Sequence, residues 1–270
     1  MNKTNTGIAK RFIDEELGIH WQVDESEESL NRLLNHLEVK TNEKPYFEEA
    51  LLHLNLNDEK FSNGLVVTDI GAGVCWESAI LARHPKVKFV YAVDPSDSRL
   101  KHARYVIKHF GVEDKVKIIH GTFLEPNVPE KVDLILFCGS FHHCYEDQLD
   151  GLFSNAKRLL KSKGMVLITN EHYINWLWTL KRLLSYLKHF SNRKHLYYYP
   201  LKNLRAPDPF SGDHWRTRKE IENIFENHGF KAQFFIHDGN LLSKRRNSPL
   251  RFGWHFYHAI LQLRNQDVQS

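Results

Sequence analysis

The sequence predicts an α/β protein: a doubly wound, mostly parallel sheet, preceded by a helical cap and interrupted late by a helical lid. Three observations carry this. Continuous apolar runs alternate with amphipathic stretches from residue 65 to residue 170, and strands that are apolar on both faces belong to a parallel sheet with helices on each side. The first 64 residues show helical spacing and no clear strand run. After Asn170 the rhythm breaks for about 45 residues rich in Trp, Tyr, His, Lys and Arg, and a structureless loop of that length is uncommon inside a domain. This divides the chain into a cap over 1–64 and a sheet domain over 65–270, with a lid insertion at about 171–216.

In the cap, Leu30, Leu33, Leu34 and Leu37 follow helical spacing, with Ser26 or Ser29 as the capping residue. Phe47, Leu51, Leu52 and Leu54 outline a second helix after Pro45, and Asn63-Gly64 marks a turn. Strands are expected at 65–70, 89–93, 116–119, 132–137 and 165–169, with helices at 98–110 and 147–160. Pro126 and Pro129 leave little room for a helix between the third and fourth strands. A basic amphipathic helix is expected over 174–190, with Leu177, Leu180, Leu184 and Leu187 on one face. A helix at 217–228, stopped by Gly229, precedes strands at 230–237 and 252–263 joined by a long hairpin loop.

Composition narrows the function classes. The net charge of +4 over 270 residues does not mark a nucleic-acid binder. Three cysteines, Cys75, Cys138 and Cys144, make no disulfide framework and point to a reducing compartment. The polar start lacks a secretory signal, and no run reaches the roughly twenty apolar residues that span a bilayer, so a cytoplasmic protein is expected. No metal is expected: the dense ligand run is His142-His143-Cys144, and adjacent residues on a tight turn rarely converge on one ion.

The chemistry concentrates after the first strand. That strand carries Asp69, and Gly71 and Gly73 then form a loop that opens a helix. Glycines permit positive φ and let a ligand touch backbone, and the unpaired N–H groups of a helix start favour a carboxylate-bearing or anionic ligand. A tight turn without a ligand would use the same residues. The second strand ends in Asp94, twenty-one positions after Gly73, where a carboxylate can accept hydrogen bonds from both ribose hydroxyls of a nucleoside. Asp94 could instead cap the following helix, ahead of Pro95 and Ser96.

With Asp69-Ile70-Gly71-Ala72-Gly73 and Asp94 in place, the chain resembles the class I S-adenosylmethionine-dependent methyltransferases. The likeness continues through Gly121-Thr122-Phe123, where that family flanks adenine, then 132–140, then the turn Leu159-Leu160-Lys161-Ser162-Lys163-Gly164. It implies S-adenosyl-L-methionine as cofactor, contacted by Asp69, Gly71, Ala72, Gly73, Asp94, Pro95, Gly121, Thr122, Phe123, Cys138 and Gly139. It also implies a seven-stranded sheet whose last strand is antiparallel, which suits the terminal hairpin. The chain departs from the family pattern at Cys75, where a third glycine is usual, at Thr122, where Asp is commoner, and at Ser162-Lys163, which replaces Pro-Gly. A dinucleotide-binding oxidoreductase fits less well, because its third glycine would fall on Trp76.

The acceptor is expected beyond the carboxyl ends of the fourth and fifth strands. His142 and His143 are the first candidates for a base, since imidazole titrates near neutral pH and small-molecule members of the family carry similar histidines there. Tyr173 and His214 are the next. All four are alternatively residues that shape a pocket. The implied reaction is in-line methyl transfer to a small-molecule or sugar-containing acceptor. The alternatives are RNA or another macromolecule, although no Pro-Pro-Tyr-like tetrapeptide or nucleic-acid module is present, and a non-catalytic cofactor-binding protein. The lid helix suits a roof over the site, or a peripheral membrane contact for a lipid-linked acceptor. The clusters Arg193-Lys194-His195 and Lys244-Arg245-Arg246 are candidate anion contacts or solvated faces. The cap would cover the site or mediate dimerisation.

Overall fold

The computed structural model describes residues 18–56, 58–188, 205, 212–236 and 254–264. Ser26 accepts a hydrogen bond from the Ser29 N–H at 3.3 Å and so starts helix α1 (Glu27–Asn35), which runs into a π-helical turn at His36–Lys40. Helix α2 (Glu43–Leu54) begins two residues before Pro45, so that the proline falls in a first turn that needs no N–H from it. Leu33, Leu37, Phe47 and Leu54 are buried, but Leu52 is 75% exposed and leaves the apolar face predicted for it. The Phe47 ring meets Trp76 edge-on at 5.5 Å, which ties the cap to the sheet domain.

Seven strands form one sheet: β1 (Leu65–Ile70), β2 (Val87–Asp94), β3 (Val116–His120), β4 (Val132–Cys138), β5 (Leu160–Ile174), β6 (Phe230–Ile236) and β7 (Trp254–Leu263). Their order is β3-β2-β1-β4-β5-β7-β6. The first five run parallel, and β7 is antiparallel to both β5 and β6. Successive residues of the central strands are buried in alternate cores. Val90, Ala92, Leu134 and Leu136 join the core shared with the cap and with α3 (Trp76–Arg83) and α4 (Asp97–Phe110). Tyr91, Val93, Ile135 and Phe137 join the opposite core, under α5 (Leu149–Leu159) and α7 (Arg218–Asn227). Two apolar faces, each covered by helices, are what makes these strands read as continuous apolar runs.

The fifth strand departs from expectation. It extends past Thr169 to Ile174, with an irregularity between Ile168 and Glu171 where Asn170 takes φ +54°. Glu171, His172 and Tyr173 therefore pair with Tyr257, Phe256 and His255 of β7 rather than lying in a loop. The strand is extended because β7 supplies a partner ladder that local sequence does not reveal. The segment expected as a lid at about 171–216 therefore begins with strand residues, and α6 (Trp176–Lys188) follows the strand directly. On α6, Trp176, Leu180 and Leu184 are exposed, while Trp178 is buried against Trp215, ring centroids 4.8 Å apart. Arg193, Lys194, His195, Lys244, Arg245, Arg246 and Phe252 lie outside the described residues, as does the hairpin loop. No described helix is long and apolar enough to cross a membrane.

The order reverses between β1 and β4, so a crevice opens at the carboxyl ends of these two strands, where doubly wound folds bind their ligands.

Candidate functional site

A cavity of about 470 Å³ lies at that crevice. One wall is the loop from Gly71 to Val74, with Cys138 and Gly139 at the end of β4. The local sequence builds this wall tightly. Gly71 has φ +80°, and a Cβ on it would sit 2.5 Å from the Ser140 Cβ. The Ser140 hydroxyl in turn donates to the Ile70 carbonyl at 2.8 Å. The N–H groups of Gly71 and Ala72 donate to Val93 O at 2.8 and 3.0 Å, joining the loop to the end of β2. Cys75 has φ +62°, so it takes the left-handed conformation that a glycine adopts readily, at a steric cost of about 1–2 kcal/mol.

Asp69 and Asp94 stand behind this wall. Asp69 is buried and accepts from the Ser78 hydroxyl at 2.6 Å; its second oxygen has no hydrogen-bond partner among the described residues. Burial, with Asp94 nearby, pushes the Asp69 carboxyl up to about 7, against the pull of Ser78. Asp94 accepts from the Gly73 N–H and the Ser96 N–H, both at 2.8 Å, and each carboxylate oxygen can accept again. Burial raises its pKa while these hydrogen bonds and Arg99 oppose the rise. Glu77, on the cavity wall at the start of α3, is pushed well above the usual carboxylate range by burial and by Asp69. Glu43 from the cap is raised by its enclosure too. Two carboxyl groups on the lining, Glu43 and Glu77, with Asp69 and Asp94 behind the loop, fit a ligand that carries positive charge. Asn170 adds a buried Oδ1 with no hydrogen-bond partner among the described residues, while its Nδ2 donates to Glu43 O and Cys138 Sγ at 3.1 Å each.

The opposite wall is a histidine corner. His142 Nδ1 lies 3.0 Å from Glu171 Oε2, and Glu171 Oε1 accepts from the Phe141 N–H at 2.7 Å and the His142 N–H at 3.3 Å. The carboxylate holds Nδ1 as the protonated nitrogen, so Nε2 is the one that faces Asp213, 3.6 Å away. His143 Nδ1 is 3.5 Å from the same Asp213 oxygen. Burial works to lower the His142 pKa, but Glu171 and Asp213 outweigh it and the pKa rises. His143 is held well below its ordinary value by burial and by the neighbouring His142. His172 lines the same corner, its ring centroid 5.1 Å from that of His142.

Of the residues expected from sequence, Gly71, Ala72, Gly73, Cys138, Gly139, His142 and His143 line this one cavity. Asp69, Asp94, Pro95, Gly121, Thr122 and Phe123 do not line it, Asp69 and Asp94 standing behind the loop. Gly121 N–H donates to Asp94 O at 3.2 Å, and Thr122 closes a local turn through Glu125 on both its backbone and its hydroxyl. Tyr173 stacks on His255 at 5.1 Å, and His214 packs edge-on against Tyr145 with Nδ1 between the carbonyls of His142 and Gly212. Neither lines the cavity. His214 is instead lowered to about 4, by burial first and by Arg216. Sequence reading passed over Trp21, Lys40, Glu43, Tyr46, Glu77 and Arg99 of the lining; it put the polar residues after the fifth strand at the mouth of the crevice, where Asn170 and His172 do line it, but gave these two and Asp213 no role. Glu77 had a visible signal, a carboxylate within the buried first turn of an apolar helix. The cap residues had none, because nothing local says which side of the sheet a leading helix covers.

Residues 67–164 match the family described as "Methyltransferase domain". Among solved structures, the PH0226 protein from Pyrococcus horikoshii OT3 superposes with a TM-score of 0.55 at 20% identity, covering 87% of this chain and 98% of that one. An S-adenosylmethionine-dependent methyltransferase from Thiobacillus denitrificans, solved with S-adenosyl-L-homocysteine, gives 0.54 at 16% identity, covering 86% and 98%. In sequence, the chain is 32% identical over 123 residues to a protein from Oryza sativa subsp. indica named "Probable protein arginine N-methyltransferase 6.1", covering 45% of this chain and 31% of that protein. An Arabidopsis thaliana protein named "Probable protein arginine N-methyltransferase 6" is 34% identical over 124 residues, covering 45% and 27%. The chain thus matches under a third of the length of these relatives. Residues 67–164 thus match a methyltransferase domain, and the fold is that of the solved Rossmann-like structures above.

Proposed function

We propose that this methyltransferase domain acts in the cytoplasm and transfers the methyl group of S-adenosylmethionine to a hydroxyl or amine of a small-molecule or sugar-containing acceptor. The observation that carries the proposal is one cavity bounded on one side by the glycine loop and on the other by the histidine corner. A bound cofactor supplies a methyl group already activated on sulfonium, so the protein's task is alignment, exclusion of water and management of one proton.

The residues divide this work. The Gly71–Gly73 backbone and the Asp94 carboxylate fit the nucleoside, and the Asn170 Oδ1, without a hydrogen-bond partner among the described residues, fits an ammonium donor. Arg99 reaches the loop, with Nη1 4.0 Å from where a Gly73 Cβ would stand, and offers a guanidinium for a carboxylate. Asp69, Glu77 and Glu43 are carboxyls that burial holds above their ordinary range, and a cationic sulfonium beside them would favour their ionised forms. The corner of His142 and His143, backed by Glu171 and Asp213, is where the acceptor gives up its proton. All three cysteines are free and buried, which suits a reducing compartment.

The sequence relatives named as protein arginine methyltransferases favour a second reading, a peptide acceptor. The corner argues against it. A guanidinium stays charged at any working pH and calls for carboxylates free to fork onto it. Here Glu171 is already engaged by Phe141 and His142, and two imidazoles face the opening. The test is methyl transfer by the full chain, read as S-adenosylhomocysteine release. One arm offers phenolic, hydroxy-acid and amino-sugar acceptors, a second arginine-containing peptides, and a third the same hydroxylated acceptors on lipid vesicles. Turnover in the first arm supports the proposal. Turnover with peptides alone replaces it with the arginine reading, and turnover with vesicles alone assigns a lipid-linked acceptor. S-adenosylhomocysteine binding with no turnover in any arm supports a non-catalytic role.

A further inference from the structure

We propose that His142, His143 and Asp213 form a binding site for a zinc-class divalent cation at the acceptor end of the cavity. One ligand atom from each residue can be chosen so that all three lie within 4.8 Å of one another. The pairwise geometry is more specific. Asp213 Oδ1 is 3.6 Å from His142 Nε2 and 3.5 Å from His143 Nδ1. Such separations are long for N–H···O hydrogen bonds. They match the edges of a tetrahedron whose ligands sit about 2.0–2.2 Å from its centre, as zinc ligands do. Two imidazoles and one carboxylate are a donor set suited to zinc and to neighbouring borderline metals, with a position left over for substrate.

The support around the ligands points the same way. His142 gives its Nδ1 to Glu171, a residue 1% exposed whose other oxygen is fixed by two backbone N–H groups. A carboxylate behind a ligating imidazole sets the tautomer, aims the lone pair and raises its basicity. Asp213 arrives from the far end of the lid insertion, where the His214 N–H donates to His142 O at 2.9 Å and pins the segment against the histidine turn. The adjacent cysteine is not part of the site: Cys144 is buried and its thiol faces Tyr145 O at 3.7 Å. The ligand run that looks dense in sequence is thus split by the turn, and an aspartate seventy residues away takes the third place.

The inference deepens the proposed function and rests on its reading of the corner as the acceptor end. An acceptor hydroxyl bound through oxygen as fourth ligand would have its pKa lowered by the cation. Its proton would pass to solvent and leave an alkoxide or phenolate beside the methyl donor. In the metal-loaded protein the histidines would then serve as ligands, and acceptors with a second oxygen next to the reacting one would be preferred.

The test reads metal without activity. Purified full-length protein is stripped with chelator and titrated with Zn²⁺ calorimetrically, then with Co²⁺ followed by visible absorption. Wild type, Asp213→Ala, His143→Ala and Glu171→Gln are compared, each shown folded by circular dichroism, and S-adenosylhomocysteine titration is run separately. The expected result is one Zn²⁺ per chain, lost in Asp213→Ala and in His143→Ala, and weakened about 10–100-fold in Glu171→Gln. Co²⁺ should give the intense visible bands of a four-coordinate site. Absence of saturable binding in the wild type, or binding unchanged in both ligand variants, overturns the site. Because S-adenosylhomocysteine binding is measured independently, loss of the metal site leaves the methyltransferase reading standing, and the reverse holds too.

Discussion

The glycine loop and the histidine corner face one another across a single cavity, yet the chain builds them in opposite ways. The loop is local: Asp69, Gly71, Gly73 and Cys75 fall within seven residues, and its shape follows from positive φ angles and contacts to Val93 and Ser140. The corner is assembled: His142 and His143 come from a turn after β4, Glu171 and His172 from the extension of β5, and Asp213 from the end of the lid insertion. Damage to the first should appear as lost fold and cofactor binding, and damage to the second as lost turnover.

The largest effect is expected from His142→Ala. Removing the group at the proton-loss site should lower kcat by about 10²–10⁴ and leave S-adenosylhomocysteine affinity within about threefold, because the nucleoside wall is untouched. Equal losses in both would merge the two regions and break the comparison. Gly71→Ala comes next: its Cβ collides with Ser140 at a φ of +80°, so unfolding should become easier by about 2–4 kcal/mol from overpacking and backbone strain. Chemical denaturation checks this, and an unaltered midpoint would show the loop to be looser than its contacts imply.

Glu171→Gln sharpens the contrast within the corner. Burial lowers the His142 pKa and Glu171 raises it, so removing the charge should move the acidic limb of the pH–rate profile downward and reduce kcat about 10–100-fold. A profile that keeps its limb would assign the ionisation to another group.

These expectations also show what the sequence could and could not say. The sheet was legible because burial on both faces writes unbroken apolar runs, as along 132–137 and 165–168. The glycine loop was legible because its residues are contiguous. The extension of β5 to Ile174 was not, since it exists through pairing with β7, eighty or more residues away. Asp213 was given no role because the histidines it faces lie about seventy positions upstream. Leu52 was misplaced for a simpler reason: three leucines within four residues of α2 cannot all face one side of a helix.

The cofactor end offers a pH test. The Asp69 pKa is raised by burial and Asp94 to about 7, and a cationic sulfonium favours its ionised form. Affinity for S-adenosylmethionine relative to uncharged-sulfur S-adenosylhomocysteine should therefore rise between pH 6 and pH 8, and this rise should flatten in Asp69→Asn. The same linkage has the opposite sign for folding. A carboxyl whose pKa is raised from 3.8 to about 7 in the folded state costs stability progressively as pH rises through that window. Asp69→Asn should accordingly melt higher than the wild type at pH 8 and gain little at pH 4. A variant less stable at pH 8 would contradict the assignment. The smallest effect belongs to Leu52→Ser, which should change stability by no more than about 0.5 kcal/mol because that side chain is 75% exposed.

The nucleoside wall is assigned to the loop and the end of β2. Calorimetric titration of the full chain with S-adenosylhomocysteine, wild type beside Asp94→Ala, tests this most directly. The prediction is one-to-one binding by the wild type that is lost in the folded variant. A folded wild type that does not bind, or a variant that binds as tightly as the wild type, would contradict it.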